Sequence, residues 1–384
     1  MDNKPTVWIT GASKGIGAAI AELLAEKGFA ITDKEAEMLN NQREKFQKHN
    51  KSSIIFVKDA PWKAGDLLIQ KDLAETLKLI QKQGAKGFYE GKTADLLVAE
   101  MKRGNGIITL EDLKNYKVAE RKALEFEYKG NDVVTMPLPS SGGVLLAQML
   151  RMASFENLEK YQQNSTKAVQ IMTEAERRAY ADRAEYMGDP DFIQDKTSYL
   201  ISDDYLKERW KSFSFDKATP SAEVGKIIAQ PQESTETTHI SIIDKFGNAV
   251  AVTTTLNGLY RSKVVVKGGG YFLNNEMDDF SVKPGVPNMF GAVGGEANKI
   301  EPNKRMLSSM TPTIVLKNGK PYIVVGTPGG TTIPTSVFQS IVNVIDFKLS
   351  PNWVINAPKF HHQWLPETVS VEKNFPETTI SELE

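Results

Sequence analysis

Residues 237–257 read TTHISIIDKFGNAVAVTTTLN, two alternating stretches joined by a short turn. Apolar and polar residues alternate over about 239–243 and 248–255, a period of two that is typical of half-buried strands. The intervening DKFGN carries the Asp, Gly and Asn of a hairpin turn. The segment therefore predicts an antiparallel hairpin rich in threonine. Threonine is a common β-branched strand residue, so its hydroxyls alone do not indicate chemistry.

Further hairpins and helices are predicted on both sides of this segment. Alternation and turn residues predict hairpins within ALEFEYKGNDVVTMPLPSSGG (123–143) and TPTIVLKNGKPYIVVGTPGG (311–330). Helical periodicity and end signals predict a helix within 66–84 with a stop at Gly84, one within 92–106, one from a Thr109 cap that includes Asp112, a long one from 166 that is ended by Gly188 and Pro190, and one from about Thr335 to Phe347. Hairpins alternating with helices predict sheets covered by helices, a mixed α/β class.

Composition and charge exclude several classes of function. The 384 residues suffice for one large or two ordinary domains, and 47 Lys plus Arg nearly balance 48 Asp plus Glu. That balance leaves no electrostatic footprint for nucleic acid or an anionic membrane. The chain has no cysteine, which removes disulfides, thiolate metal sites and cysteine nucleophiles. No apolar run is long enough to span a bilayer, and Lys14, Glu22 and Lys27 interrupt the N-terminal stretch where a signal peptide would lie.

The N-terminal segment VWITGASKGIGAAIAELLAEKGF (7–29) resembles the first βα unit of the short-chain dehydrogenases. It predicts a strand, a glycine turn and a helix, a Rossmann-like fragment over about residues 1–30. A dehydrogenase of that family needs a Tyr with a Lys four residues later, and none of the eleven tyrosines has one. No second strand ending in an acidic residue follows. An NAD(P)-dependent dehydrogenase is therefore the less favoured function.

The histidines offer no catalytic or metal-binding arrangement. His49, His239, His361 and His362 lack the spacing of a Ser-His-Asp triad or of metal ligands. His361 and His362 are adjacent, so on a strand their side chains would face opposite ways. We expect these two residues to have packing roles.

Several long motifs in one order resemble the gamma-glutamyltransferases, also called glutathione hydrolases. From residue 237 onward the motifs are TTHISIIDKFGNAVAVTTTLN, FLNNEMDDFSVKPGVPNMFGAVGG, PNKRMLSSMTPTIV, GTPGG and NAPKFHHQWLP. Upstream, GDLLIQKDLAETL, GIITLEDLKNYK, MPLPSSGG and EAERRAYADRAEYMGDPDF agree with them. The resemblance covers about residues 31–384 and implies an incomplete αββα sandwich of the N-terminal nucleophile hydrolases. Residues 31–236 would be the mostly helical C-terminal part of the large chain, and 237–384 the small chain.

The resemblance implies a proenzyme that cuts itself between Glu236 and Thr237, after which the large and small chains stay associated. The new α-amine of Thr237 would act as the base for its own hydroxyl, an arrangement that needs no histidine. A gamma-glutamyl ester would form on Thr237 from glutathione or a related donor, and water or an amino acid or peptide acceptor would resolve it. No cofactor and no metal are implied.

The resemblance also implies the residues of the site. Thr255 would hydrogen-bond to Thr237, and the eighteen-residue spacing suits facing strands of one hairpin. The segment 283–295 corresponds to a lid loop found in some members. The remaining residues are the oxyanion donors Gly329 and Gly330, the α-ammonium ligands Asn257, Glu276 and Asp279, and the α-carboxylate ligands Ser308 and Ser309.

Two departures from the family pattern qualify this interpretation. Members carry an arginine in a segment like FRE that binds the donor's α-carboxylate, and this sequence contains no such segment. The chain also ends at ETTISELE, short of the usual end. The sequence thus predicts a truncated proenzyme with a foreign N-terminal segment; the alternative is an inactive remnant that keeps the fold without processing. The family is usually periplasmic, secreted or membrane-anchored, yet no export signal is recognised here.

Overall fold

The computed structural model of the chain describes residues 15–225, 237–281, 283–286 and 294–384, and residues 15–20 by their backbone alone. The chain divides into two compact units. The helical unit comprises Met1–Glu120 and Tyr260–Asn274, and the sheet unit comprises Arg121–Leu259 and Asn275–Glu384. The predicted division at residue 236 concerns a cleavage point, and it stays a prediction.

The helical unit consists of short helices around an aromatic core that includes Phe46, Phe56 and Phe272. Its helix ends follow local sequence signals. The helix predicted within 66–84 begins at Lys71 and stops at Gly84, whose φ of 62° suits glycine. The Thr109 hydroxyl accepts a hydrogen bond from the Asp112 amide in a capping box. The elements are α1 Gly15–Lys27, β1 Phe29–Ala30, α2 Asp33–Asn41, α3 Arg43–His49, β2 Leu67–Leu68, α4 Lys71–Gln83, α5 Lys86–Tyr89, α6 Lys92–Gly104 and α7 Leu110–Asn115.

The N-terminal helix does not lead into a Rossmann sheet. The predicted strand at 7–9 lies outside the described residues, whereas α1 confirms the predicted helix. After it, β1 pairs antiparallel with β2, and α1 packs on α4. A Rossmann unit requires a second parallel strand at this point. In the described residues α1 is therefore not followed by the parallel strand that would continue a Rossmann unit.

The sheet unit contains the three predicted hairpins. Strands β3, β4, β7 and β8 form one antiparallel sheet in that order, and β5 pairs with β6 in a separate hairpin. The predicted long helix ends at Tyr186, before Gly188 and Pro190, and the helix predicted from Thr335 begins three residues earlier. The elements are β3 Leu124–Tyr128, β4 Asn131–Thr135, α8 Gly142–Ser154, α9 Thr166–Tyr186, α10 Thr197–Leu200, α11 Asp203–Trp210, α12 Ser221–Val224, β5 Thr237–Ile243, β6 Ala249–Thr255, β7 Thr313–Lys317, β8 Lys320–Val325, α13 Thr332–Ile345, α14 Pro351–Asn356, β9 Phe360–His361, β10 Ser370–Val371 and α15 Glu377–Leu383.

Helices, sheet and hairpin form successive layers within the sheet unit. Helices α8 and α13 contact each other and the four-stranded sheet, and α9 packs on α8. The hairpin β5–β6 contacts β7 and β8 without joining their ladder. Leu145, Leu146 and Phe338 are completely buried in the resulting core. Exposure alternates along β6, as predicted. Along β5 the predicted alternation is wrong, because the first four residues are half-buried and the last three are exposed. The layers agree with the predicted mixed α/β class.

Helix α9 carries charged residues into this core. Glu174, Arg177 and Arg178 are each at most 5% exposed, and the Glu174 carboxylate accepts hydrogen bonds from both arginines. Burial alone would raise the pKa of Glu174, but hydrogen bonds from Arg178 and Thr219 lower it. One carboxylate therefore compensates two buried guanidinium groups.

Glu174→Gln is expected to lower the free energy of unfolding by about 3 kcal/mol, because it leaves two buried cations without their anion. The matched control is Glu208→Gln, which breaks the exposed ion pair with Lys211 and should leave stability nearly unchanged. Urea unfolding followed by tryptophan fluorescence measures both. Equal effects of the two substitutions would contradict the argument.

Candidate active site

The register of the β5–β6 hairpin places Thr237 directly opposite Thr255. The Thr237 hydroxyl donates a hydrogen bond to the Thr255 hydroxyl at 3.3 Å, which is long for a bond between two hydroxyl groups. The Asn257 amide donates to the same Thr255 oxygen at 3.0 Å. The predicted facing of the two threonines is confirmed, and Thr255 links the start of β5 to the turn after β6.

Asn257 occupies a conformation that few residue types adopt. Its φ is 72° and it is buried, a combination for which asparagine is better suited than most residues. Its side-chain amide donates to the Asn275 carbonyl at 3.0 Å, and the Gly258 amide donates to the Asn275 side-chain oxygen at 2.9 Å. These bonds tie the turn after β6 to the segment that leads into Glu276.

The 3-10 turn Glu276–Asp279 contains Asp279, a carboxyl group whose pKa is raised. Asp279 as a whole is half-buried, and burial of its carboxyl group raises its pKa to about 7. The negative charges of Glu276 and Asp278 also raise that pKa, whereas the positive charge of Arg183 lowers it. Asp279 therefore titrates near neutral pH.

The loop that contains Ser308 and Ser309 is fastened to the first turn of α8. The Ser141 amide and hydroxyl both donate to the Ser308 carbonyl at 2.8 Å, and the Ser308 amide donates to the Pro139 carbonyl at 2.8 Å. A Cβ atom at Gly142 would lie 2.2 Å from the Thr311 hydroxyl oxygen, so only glycine permits this approach. The motif MPLPSSGG thus has a structural purpose, which is to hold the serine loop.

Gly329 and Gly330 lie immediately before α13 in left-handed conformations, with φ values of 140° and 57°. Glycine tolerates these values at no steric cost. Gly329 is buried, and within the described ranges neither amide donates a hydrogen bond to another protein group. The positive end of the α13 dipole adds to these two donors. The pair is suited to bind an oxygen that carries negative charge.

One small pocket in the sheet unit brings most of the predicted residues together. Glu276 and Gly329 are not part of its lining, but each lies in the same short segment as a lining residue. Glu236 and residues 287–293, which make up most of the predicted lid loop, lie outside the described residues. So does residue 282, which precedes that loop. The pocket is lined by Arg183, Thr237, Thr255, Asn257, Asp279, Ser308, Ser309, Met310, Gly330, Thr331 and Ile333.

Sequence reasoning missed Arg183 as a pocket residue. It also missed Met310, Thr331 and Ile333, which adjoin predicted positions in the chain. Arg183 is remote in sequence from every predicted site residue and lies in the motif EAERRAYADRAEYMGDPDF. One feature of the sequence could have indicated Arg183: α9 carries many charged residues among apolar ones. Charged side chains that are buried with apolar ones need partners inside the fold.

The described histidines near these segments have packing roles. The His239 ring nitrogens contact the Thr253 and Ser241 hydroxyls at 2.8 and 3.0 Å, and burial lowers the pKa of His239. His361 and His362 are buried, which lowers their pKa values to about 4 and about 3. Both rings are therefore neutral at physiological pH, and the predicted packing role of His361 and His362 is confirmed.

Comparisons with known proteins agree on the fold. The crystal structure of cephalosporin acylase from Bacillus halodurans superimposes with a TM-score of 0.77 at 23% identity, over 94% of this chain and 64% of that chain. The crystal structure of Helicobacter pylori gamma-glutamyltranspeptidase gives a TM-score of 0.52 at 41% identity, over 54% of this chain and 60% of that chain. The predicted fold class, that of the N-terminal nucleophile hydrolases, is confirmed.

Sequence similarity then narrows the class to a family. Residues 18–384 match the family model for gamma-glutamyltranspeptidase. The chain is 47% identical over 363 residues to the glutathione hydrolase proenzyme of Escherichia coli (strain K12), which covers 94% of this chain and 63% of that protein. It therefore belongs to the gamma-glutamyltranspeptidase family, and it spans a little under two thirds of the length of this relative.

The match also corrects the predicted N-terminal boundary. It begins at residue 18, inside α1, whereas the sequence interpretation assigned residues up to about 30 to a dehydrogenase-like segment. From residue 18 onward the chain is gamma-glutamyltranspeptidase sequence, so the predicted junction near residue 30 is wrong. A short strand, a glycine turn and a helix occur in many folds, which explains the misassignment. The dehydrogenase alternative is not favoured.

The described part of the chain contains neither a helix that could span a membrane nor a cluster of side chains that could hold a metal ion. No helix there combines the length and the hydropathy required to cross a lipid bilayer. Among the same residues, no group of three or more histidine, aspartate or glutamate side chains is arranged to hold a metal ion.

Proposed function

We propose that this chain is a proenzyme that cleaves itself between Glu236 and Thr237 and then hydrolyses or transfers the gamma-glutamyl group of glutathione and related donors. The observation that carries the proposal is Thr237 at the first position of β5, hydrogen-bonded to Thr255 in a pocket that also holds Asp279 and two serines. Membership of the family supports the same chemistry. Water or an amino acid or peptide accepts the gamma-glutamyl group.

Cleavage would supply the base that the site otherwise lacks. A threonine hydroxyl is a weak nucleophile at neutral pH, and His239 already contacts Thr253 and Ser241. The α-amine released on Thr237 has a reference pKa of about 8, so it takes the hydroxyl proton while the oxygen attacks the gamma-carbonyl carbon. The amine then protonates the leaving nitrogen. Water or an amine acceptor attacks the resulting ester and restores Thr237.

The Gly329 and Gly330 amides would stabilise the charge that develops during this attack. The former carbonyl oxygen becomes negative in the tetrahedral intermediate, and preorganised backbone donors bind it more strongly than they bind the neutral carbonyl. The absence of protein partners for these amides within the described ranges, together with their place before α13, supports this role.

The rest of the pocket suits the amino acid end of the donor. Asn257, Glu276 and Asp279 would bind the α-ammonium group, because one or two carboxylates and an amide oxygen satisfy its three donors. Ser308 and Ser309 would bind the α-carboxylate through their hydroxyls. The two charges of the donor would thus meet different groups of the same pocket, and after cleavage the large and small chains would remain associated around it.

Wild-type protein is expected to appear as two chains on a denaturing gel, residues up to 236 and residues 237–384. Thr237→Ala removes the attacking hydroxyl and should leave one band, whereas Thr237→Ser retains a hydroxyl and should still split. A wild-type band that never splits would remove the proposed base and favour the alternative, an inactive remnant that keeps the fold.

Thr255→Val replaces the hydroxyl that accepts from Thr237 with a methyl group of similar size. We expect the rate of hydrolysis of gamma-glutamyl-p-nitroanilide to fall about tenfold or more, since a positioning hydrogen bond is lost. Thr253→Val is the matched control, because Thr253 lies two residues away on β6 and contacts His239 instead. Similar losses in both variants would argue against a role for Thr255.

Donor binding should weaken as the pH falls through about 7, where Asp279 takes up a proton and loses its charge. The ratio kcat/KM for gamma-glutamyl-p-nitroanilide should therefore decrease about tenfold per pH unit below that value. The Asp279→Asn variant should have a much lower kcat/KM, and this ratio should no longer decrease as the pH falls below about 7. A wild-type profile that stays flat between pH 5 and 8 would contradict the role given to Asp279.

A further inference from the structure

Arg183 on α9 is a buried cation that contacts no anion among the described residues. Its side chain lines the pocket and the residue is 5% exposed, and burial lowers its pKa. A guanidinium group nevertheless stays protonated in proteins. Arg177 and Arg178 on the same helix share the Glu174 carboxylate, whereas among the described residues no carboxylate lies within 4.0 Å of Arg183. Burying a charge in this way is costly, so its position calls for a compensating interaction.

The guanidinium group of Arg183 contacts both the serine loop and Ser141, the residue before α8 that holds this loop. Its Nη2 donates to the Ser309 Oγ at 3.4 Å, and its Nε donates to the Ser141 Oγ at 3.0 Å. The Ser141 hydroxyl in turn donates to the Ser308 carbonyl at 2.8 Å. One side chain therefore contacts Ser309 directly and supports Ser308 through Ser141.

These contacts determine which way the serine hydroxyls face. Arginine has donors and no acceptor, so the Ser309 oxygen accepts from Arg183 and its own proton is available elsewhere. The Ser308 oxygen likewise accepts from the Met310 amide at 3.1 Å. Within the described ranges neither hydroxyl donates a hydrogen bond. Both protons are therefore free to point into the pocket, where an anion would receive them.

The charge of Arg183 also acts on the acidic side of the pocket. Glu276 and Asp278 face Asp279 with negative charge and favour its protonated form, and Arg183 is the positive group that opposes them. The same guanidinium group thus leaves the Ser309 hydroxyl free to donate to a carboxylate. Its positive charge also favours the ionised form of Asp279, which can bind an ammonium group.

We propose that Arg183 is a positioning residue of the donor site, which directs the Ser309 hydroxyl proton to the α-carboxylate of the donor and lines the same pocket as Asp279, the ligand proposed for its α-ammonium group. The inference rests on the proposed function, because it takes an α-amino acid end as the ligand. It makes the site selective for compounds that carry both charges on one carbon atom.

The first test compares two donors in Arg183→Met and Arg183→Lys. Gamma-glutamyl-p-nitroanilide has the α-carboxylate, and 4-aminobutyryl-p-nitroanilide has the amine but lacks it. For the gamma-glutamyl donor, KM should rise about 10- to 100-fold in Arg183→Met with a smaller change in kcat, and Arg183→Lys should restore part of the loss. The other donor should lose little. Combining Arg183→Met with Ser309→Ala should add little to Ser309→Ala alone.

The matched control is Arg151→Met. Arg151 lies on α8 in the sheet unit and bonds to the Ile201 carbonyl and Asp203, outside the pocket. It should leave KM for both donors unchanged. Equal losses for both donors in Arg183→Met, with no rescue by Arg183→Lys, would show a structural role only and overturn the proposal.

A second test does not depend on turnover. The pKa of Asp279, followed by the carbon-13 shift of its carboxyl group, should rise in Arg183→Met and stay unchanged in Arg151→Met. If wild-type protein neither splits nor turns over, the proposed function is wrong, while a raised Asp279 pKa still supports the electrostatic role of Arg183. If wild-type protein is active and Arg183→Met changes neither the Asp279 pKa nor the donor preference, the function stands and the inference fails.

Discussion

The pairing of Thr237 with Thr255 across the β5–β6 hairpin is the constraint on which the site depends. A slip of one residue in this register would place one of the two side chains on the other face of the hairpin, away from its partner. The alternation of half-buried and exposed positions along β6 opposes such a slip, because the slip would exchange its inner and outer faces. Thr255 also fixes the position of Asn257, because the Asn257 amide donates a hydrogen bond to the same hydroxyl oxygen that accepts from Thr237.

The remaining walls of the pocket come from segments far apart in the chain. The serine loop at 308–309 is held by Ser141, about 170 positions earlier, and Arg183 joins both from α9. Close backbone approach at Gly142 makes this contact possible. Polar groups that would be costly to bury alone satisfy one another here, and the resulting network leaves the two serine hydroxyls as donors toward the pocket.

Much of this fold follows from local patterns. The three hairpins, the Thr109 cap and the stop at Gly84 all depend on residues within a few positions, so sequence reasoning found them. The candidate site followed from motif order, and the pocket contains most of the residues so named. The N-terminal boundary failed because a glycine turn before a helix has the same local physics in unrelated folds. Arg183 was missed because its partners are not its neighbours in sequence.

By itself, the sequence determined the strands, the helix ends and the family, because periodicity, caps and long ordered motifs are properties of the chain before it folds. Only the tertiary structure decided that Arg183 contacts Ser309 with no carboxylate of the described residues beside it, and that burial raises the pKa of Asp279 to about 7. Both depend on burial and on charges brought together across long stretches of chain. Local propensity specifies neither the dielectric around a group nor the distance to a partner that another segment supplies.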